Sequence, residues 1–197
     1  MLEERTYKIF QHSIEAKMKT GEVLLPHIVS ASQVLVQSLL SEGKILICGN
    51  GPSAALAQIL TNQLINRFER ERPSLPAIVL GCDLTNATAI AYESSFNEIF
   101  AKEIRALGSA GDTLVIISSS GNPSNLIQAI QAAHERSMNV ITLTGRDGGN
   151  LSLLLDVDDV ELLVPLDSRA RIHELHLLSI FCLCDLIDEQ LFGPIDG

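Results

Sequence analysis

The sequence ILICGNGPSAALAQILTNQLINRF, residues 45–68, contains the pattern that decides the fold. Residues 44–48 form an apolar, partly β-branched run that predicts a buried strand, and a helix is predicted over 53–68. Between them, Gly49-Asn50-Gly51 predicts a tight turn that resembles a phosphate-binding loop, because the first amides of the helix point towards it. On that helix Ile59 and Gln63 stand one turn apart, where catalytic side chains would be expected. The stretch therefore predicts an anion site and leaves open whether the site is catalytic.

The rest of the chain repeats the alternation of strand and helix. Two N-terminal helices are predicted at about 4–20 and 24–41, and a long terminal helix at about 169–191. Further strands are predicted at 76–80, 112–118, 139–144 and 160–164, and further helices at 97–107 and 123–137. Continuously apolar strands separated by helices are typical of a parallel sheet covered on both faces. We therefore predict one α/β domain, a three-layer α-β-α sandwich with a five-stranded parallel sheet, in which 1–42 is a helical oligomerisation segment and 43–197 is the core.

Composition excludes several classes of protein. The 197 residues are 46% hydrophobic and carry a formal net charge of −10, which disfavours direct binding to nucleic acids or to an anionic membrane surface. No secretory signal begins the chain, and the longest apolar run, 177–183, is too short to cross a bilayer. The four cysteines form neither a CxxC motif nor a disulfide framework. These features predict a cytoplasmic protein with reduced thiols.

A second candidate loop, SSSGNPS, spans residues 118–124 after a predicted buried strand. Pro123 suits the first position of a helix, and Asn122 is a suitable cap for it. Serine hydroxyls at a helix N-terminus favour a bound anion. The alternative is an ordinary strand-to-helix turn, since Ser, Gly and Asn are common in turns. Because both loops follow parallel strands, they are predicted to converge at one edge of the sheet, which favours a shared phosphate site.

Five motifs, CGNGPSAALAQ, FERERPSLPAI, SSSGNPSNLIQAIQAA, ITLTGRDGG and RIHELHLLSIFCLCDLID, resemble the sugar-isomerase (SIS) domain family along nearly the whole chain. Within that family they resemble the branch of the phosphoheptose isomerases and the DnaA initiator-associating proteins. The resemblance implies the SIS fold, a homotetramer with sites at subunit interfaces, and a phosphosugar ligand. It implies phosphosugar contacts from the two loops, namely from Asn50, Gly51, Ser53, Ser118, Ser119, Ser120, Asn122 and Ser124, where Ser124 stands beside Pro123 at the position of a further family serine.

The resemblance also implies an isomerase site, and this sequence departs from it. Conversion of a ketose phosphate to an aldose phosphate needs a base and an acid, for which a carboxylate and a histidine are suited. The family's helix histidine falls on Ile59, its catalytic glutamate on Gln63 and its terminal-helix glutamine on His173, while His176 is retained. An amide is not a base at neutral pH, so Gln63 is expected to cost about 3–5 kcal/mol of barrier. Glu93 is the candidate substitute base.

Metal binding is disfavoured by the same departures. The family's site residues can hold zinc, but Ile59 and Gln63 remove two of the ligands. His173 and His176 share a helix face and can grip a metal only weakly without a third ligand from a partner chain. The alternative is that both are polar residues packed at a subunit interface, and we expect no cofactor.

Near the carboxyl end, Leu191 and Phe192 resemble the pair with which DnaA initiator-associating proteins grip the replication initiator. The alternative is that this pair packs against the chain's own N-terminal helices. The expected function is thus a phosphosugar-binding SIS protein that is weak or inactive as an isomerase and regulatory, with DnaA as a partner. The competing hypothesis is an active sedoheptulose 7-phosphate isomerase that makes D-glycero-D-manno-heptose 7-phosphate for lipopolysaccharide, with His176 and a substitute base.

Overall fold

The computed structural model describes residues 1–194 and contains one five-stranded sheet. All strand pairs are parallel, and the strand order is β2-β1-β3-β4-β5. The strands are β1 Ile45–Gly49, β2 Ala77–Val79, β3 Thr113–Ile117, β4 Asn139–Gly145 and β5 Val160–Val164. This architecture confirms the predicted α/β fold with its five-stranded parallel sheet.

Helices cover both faces of the sheet. They are α1 Leu2–Leu40, α2 Pro52–Ile65, α3 Leu84–Glu93, α4 Ile99–Leu107, α5 Ser124–Glu135, α6 Gly149–Ser152 and α7 Arg169–Phe192. Alternate side chains of each strand point to opposite faces, so Ile45 and Ile47 pack with α1, α2 and α7, while Leu46 and Cys48 pack with α4 and α5. Two separate apolar cores result, one on each side of the sheet.

The two predicted N-terminal helices are in fact one helix, and the prediction of a break was wrong. Helix α1 continues for 39 residues through Pro26. A proline inside a helix typically costs about 3 kcal/mol, because it lacks the N–H and crowds the preceding turn. Packing on both sides of Pro26 offsets that cost: Leu24 and Ile28 are buried against the core, and upstream the Ser13 hydroxyl donates to Glu174 on α7 over 2.7 Å.

By length and composition α1 would also be able to cross a membrane. Its apolar carboxyl-terminal half, however, buries Leu24, Ile28, Ala31 and Leu35 in the core beside β5 and α7. This half therefore has the environment of a core helix.

Two short helices were not predicted. Helix α3 has no buried residue, so it shows no apolar periodicity, and its N-terminus is capped by the Asp83 carboxylate, which accepts from the amides of Thr85 and Asn86. The four-residue α6 follows the left-handed Gly148. A 3₁₀ turn, Phe96–Glu98, precedes α4.

The strand order reverses between β1 and β3, since the chain leaves β1 towards β2 on one side and later continues from β3 towards β4 on the other. At such a point the loops after the two strands diverge to opposite faces and leave a crevice at the carboxyl edge of the sheet. The two candidate loops, 49–53 and 118–124, lie at this crevice.

Candidate functional site

The first loop depends on two glycines. A Cβ atom on Gly49 would lie 2.9 Å from the carbonyl oxygen of Ile117 and from atoms of Ser53, so no larger residue fits where the loops after β1 and β3 meet. Gly51 has a φ of 55°, a left-handed conformation that disfavours other residues. Pro52 then begins α2, which directs the N-terminus of α2 at the crevice.

A reciprocal amide pair joins the two loops. The Asn50 side-chain nitrogen donates to Asn125 Oδ1, and the Asn125 nitrogen donates to Asn50 Oδ1, both over 2.9 Å. Asn125 lies in the first turn of α5 and is buried. Sequence reasoning missed it, because its partner is 75 residues away. The pair engages one N–H and the oxygen of each amide, so Asn50 and Asn125 set the separation of the loops.

Serine hydroxyls line the crevice between the loops. Within residues 1–194, no protein group forms a hydrogen bond with the Oγ atoms of Ser53, Ser119 or Ser120. Ser53 is buried in the first turn of α2, while Ser119 and Ser120 are half-buried after β3. Each hydroxyl therefore retains its hydrogen-bonding capacity beside a helix N-terminus, as an anion site requires. Ser118 differs, since it is buried and its Oγ accepts from the Gly121 amide over 3.1 Å.

Asn122 does not cap α5, contrary to the prediction. Helix α5 begins at Ser124, one residue after Pro123, and no side chain caps it. The Asn122 amide instead donates to the Ser120 carbonyl over 2.8 Å and accepts from the backbone N–H of Asn150 over 3.1 Å. These contacts hold the loop 118–124 against the loop after β4. Ser124 is exposed at the start of α5.

The loop after β4 packs closely against the loop 118–124. A Cβ atom on Gly121, where φ is 66°, would lie 1.8 Å from the Gly148 carbonyl oxygen. Asp147 accepts from the Gly149 amide over 3.2 Å, so its carboxylate shapes the turn after β4.

Helix α2 also carries the two residues that depart from the family pattern. Ile59 is half-buried and packs against the apolar core shared with α7, and Gln63 is half-buried one turn further along. Neither side chain carries a titratable group. These two side chains therefore cannot perform the proton transfer that the resemblance implies for a histidine and a glutamate at the same positions.

His176 lies inside the protein. Its ring is fully buried, and Nε2 donates to the carbonyl oxygen of Thr144 on β4 over 2.9 Å. Burial lowers the pKa of the His176 imidazole to about 4, against the opposing effect of this hydrogen bond, so the ring is neutral at pH 7. A neutral ring held by a backbone carbonyl has the environment of a core histidine, and its catalytic role stays a prediction.

The residues around His176 do not fit the zinc site that the family resemblance implies. The His173 and His176 rings meet edge to face with centroids 6.3 Å apart, and burial lowers the pKa of His173 as well. Both His173 nitrogens are buried and lack a hydrogen-bond partner within residues 1–194. Ile59 offers no ligand atom, so the described residues at this place supply fewer donors than the four that a tetrahedral zinc needs.

The remaining predicted residues lie at the ends of helices. Glu93 is the last residue of α3 and is exposed. Leu191 and Phe192 end α7 and are half-buried against the core. The Arg70 guanidinium lies over the Phe192 ring, 5.9 Å from its centroid, and Arg70 donates to the carbonyl oxygens of Phe192 and Gly193. Phe192 thus contacts the α2–β2 loop, a partner that sequence reasoning did not identify.

One further donor cluster lies at the opposite edge of the sheet. His134, Asp156 and Asp159 bring ligand atoms within 4.8 Å of one another. Hydrogen bonds account for the arrangement: Asp159 accepts from the amides of Val140 and Asp156 and from His134. The cluster ties the end of α5 to the segment before β5.

Comparison with known proteins places the chain in a family. The sequence pattern of the SIS domain family matches residues 10–145. The phosphoheptose isomerase of Chromohalobacter salexigens is 60% identical over 187 residues, 95% of each chain, and that of Coxiella burnetii is 53% identical over 182 residues, 92% of each. The structure of the phosphoheptose isomerase of Neisseria gonorrhoeae matches with a TM-score of 0.91 and 45% identity, over 96% of this chain and all of that one.

The chain therefore belongs to the SIS domain family. Within the family it groups with the phosphoheptose isomerases, as the predicted branch requires.

Proposed function

We propose that this protein binds a phosphorylated sugar between the loops 49–53 and 118–124 and is weak or inactive as an isomerase. The observation that carries the proposal is the contrast between the two parts of the site. Asn50 and Asn125 join the two loops, and the loops present serine hydroxyls that have no hydrogen-bond partner within residues 1–194 at two helix N-termini. The adjoining face of α2 has Ile59 and Gln63, which cannot transfer a proton.

Sugar binding is tested by titration calorimetry with sedoheptulose 7-phosphate. We expect binding that falls at least tenfold in a Ser119→Ala, Ser120→Ala variant, because each hydroxyl contributes a hydrogen bond to a charged group. Ser74→Ala, an exposed serine in the α2–β2 loop, is the matched control and is expected to bind like the wild type. Unchanged affinity in the double variant would place the ligand elsewhere.

Catalysis is tested by following sedoheptulose 7-phosphate turnover by NMR. We expect the wild type to be at least about 100-fold slower than an Ile59→His, Gln63→Glu variant, since one well-placed general base contributes about 100- to 10,000-fold. A wild-type rate near 10 s⁻¹, which is typical of working enzymes, would contradict the proposal.

The second candidate function is an active sedoheptulose 7-phosphate isomerase that supplies heptose for lipopolysaccharide. It is favoured by the name that relatives with 60% and 53% identity carry. In that case another residue must act as the base, and the exposed Glu93 is the candidate. Loss of wild-type turnover in Glu93→Gln, with sugar binding retained, would establish this second function.

We also propose that the protein acts in the cytoplasm as a homotetramer and that the end of α7 contacts the replication initiator DnaA. The half-buried Leu191 and Phe192 support the contact, because they leave part of an apolar pair exposed at a helix end. A Leu191→Ala, Phe192→Ala variant is expected to keep its oligomeric state and lose DnaA in a binding assay. Leu178→Ala, an exposed leucine of the same helix, is the control. DnaA binding that survives the double change would remove this pair as the contact.

A further inference from the structure

Arg72, in the loop between α2 and β2, is almost completely buried. Its side chain is 1% exposed, and its guanidinium forms four hydrogen bonds. Nε donates to Asp188 Oδ1 on α7 over 2.9 Å, and Nη2 donates to the Gln63 carbonyl over 2.7 Å. Nη1 donates to the carbonyls of Leu64 over 2.6 Å and of Pro73 over 3.0 Å. One side chain therefore joins the end of α2 to α7.

The contacts with Gln63 and Leu64 replace a conventional helix cap. The last four carbonyls of a helix have no partner within the helix, and α2 ends at Ile65 without a glycine. The Asn62 carbonyl accepts from the Asn66 amide, but within residues 1–194 only Arg72 donates to the Gln63 carbonyl. The positive guanidinium at the C-terminus also complements the helix dipole. Arg72 therefore fixes the last turn of α2, which includes Gln63.

The other half of the contact is a buried ion pair, which by itself contributes little to the free energy of unfolding. Asp188 is 4% exposed, and its second oxygen, Oδ2, has no hydrogen-bond partner in the described part of the chain. Burying two charges costs about as much as their attraction returns, so apolar pairs of similar volume are often as stable. The pair is therefore better explained by the geometry it imposes than by its contribution to the free energy of unfolding.

We propose that Arg72 is a positioning residue of the sugar site, which holds the Gln63 end of α2 at a fixed distance from α7. The proposal rests on the proposed function of the same site. Helix α2 carries Ser53 at its start and Gln63 near its end, so a shift of the helix against α7 also moves Ser53, which lies at the proposed site. Displacements of about 1 Å are enough to weaken a preorganised site substantially.

The test replaces the ion pair with apolar residues of similar volume, in an Arg72→Met, Asp188→Leu variant. We expect it to fold with a melting temperature near that of the wild type and to bind sedoheptulose 7-phosphate about tenfold more weakly. Amide hydrogen exchange of residues 62–66 is expected to accelerate, because the last turn of α2 has lost its cap. Arg70→Met is the matched control: Arg70 belongs to the same loop, and its hydrogen bonds within residues 1–194 go to the end of α7, at Phe192 and Gly193. It should leave both readouts unchanged.

Arg72→Lys is a second variant that tests the positioning role of Arg72. Lysine keeps the charge beside Asp188 but lacks the planar fork that reaches two carbonyls, so we expect a smaller change in the same direction. This variant decides the matter if the double variant does not fold. Wild-type affinity and wild-type exchange in a folded Arg72 variant would overturn the proposal. If the wild type itself does not bind the sugar phosphate, the proposed function fails, while protected exchange in residues 62–66 would still show whether Arg72 caps α2.

Discussion

At the residue scale, burial keeps the imidazole of His176 neutral at pH 7. Its Nε2 is held by the Thr144 carbonyl, and its Nδ1 is buried without a partner in the part of the chain that the structure describes. Protonation would place an imidazolium in a core where, within residues 1–194, no acidic side chain forms a hydrogen bond with it. Because of this environment, His176 makes the free energy of unfolding depend on pH in the acidic range.

The stability of the protein is predicted to fall between about pH 6.5 and pH 4 because of His176. Folding lowers the pKa of His176 from 6.5 to about 4, so the unfolded chain binds more protons than the folded chain between these two pH values. The neutral imidazole therefore contributes its full stabilisation only above about pH 6.5. The loss reaches at most about 3 kcal/mol. Urea unfolding at a series of pH values measures it.

His176→Gln is the informative variant, because a glutamine amide can still donate to the Thr144 carbonyl but does not titrate. We expect it to flatten the pH dependence, and the exposed His12→Gln is expected to retain the wild-type pH dependence. An unchanged slope in His176→Gln would show that another group is responsible.

At the scale of the elements, the site depends on contacts between three loops rather than on any one of them. The loop after β1 meets the loop after β3 through Asn50 and Asn125. The loop after β3 meets the loop after β4 at Gly121 and Gly148, where two backbones touch. The proposed phosphate site, made of backbone and hydroxyl groups, therefore depends on close approach of these loops, for which glycine is required.

Gly121→Ala is predicted to destabilise the protein by at least about 2 kcal/mol, the sum of a strained positive φ and a collision with the Gly148 carbonyl. Gly111→Ala separates the two causes: its φ of 88° is also positive, but a Cβ there meets nothing within 4 Å. We expect Gly111→Ala to lose about 1–2 kcal/mol from strain alone. Chemical denaturation compares them, and equal losses would contradict a role for the loop contact.

At the scale of the whole molecule, the amino-terminal half of α1 exposes a continuous apolar stripe. Tyr7, Phe10, Ile14 and Met18 follow one another at helical spacing and are each 59–70% exposed. Such stripes in folded chains indicate contact with another protein surface. Together with the family resemblance, this stripe supports the proposed oligomer.

Ile14→Asp is predicted to reduce the oligomeric state, because a carboxylate in an apolar subunit contact is not compensated. Light scattering coupled to size-exclusion chromatography measures the change against a tetrameric wild type. Lys19→Asp introduces the same side chain about 140° around the helix and is expected to leave the tetramer intact. Dissociation of both variants, or of neither, would contradict an interface along this stripe.

The sequence by itself determined the order of the five strands and of helices α2, α4, α5 and α7, the parallel sheet and the two loops at the crevice, because apolar periodicity and turn residues are local signals. It also identified Ile59 and Gln63 as departures from the family pattern. Tertiary structure alone decided the continuity of α1 through Pro26, the pairing of Asn50 with Asn125 and the joining of α2 to α7 by Arg72. In each case the stabilising contact is made with a residue that is far away in the sequence. Asn50 and Asn125 are 75 residues apart, and Arg72 and Asp188 are 116 residues apart. A local pattern holds no information about which distant residue folding will bring into contact.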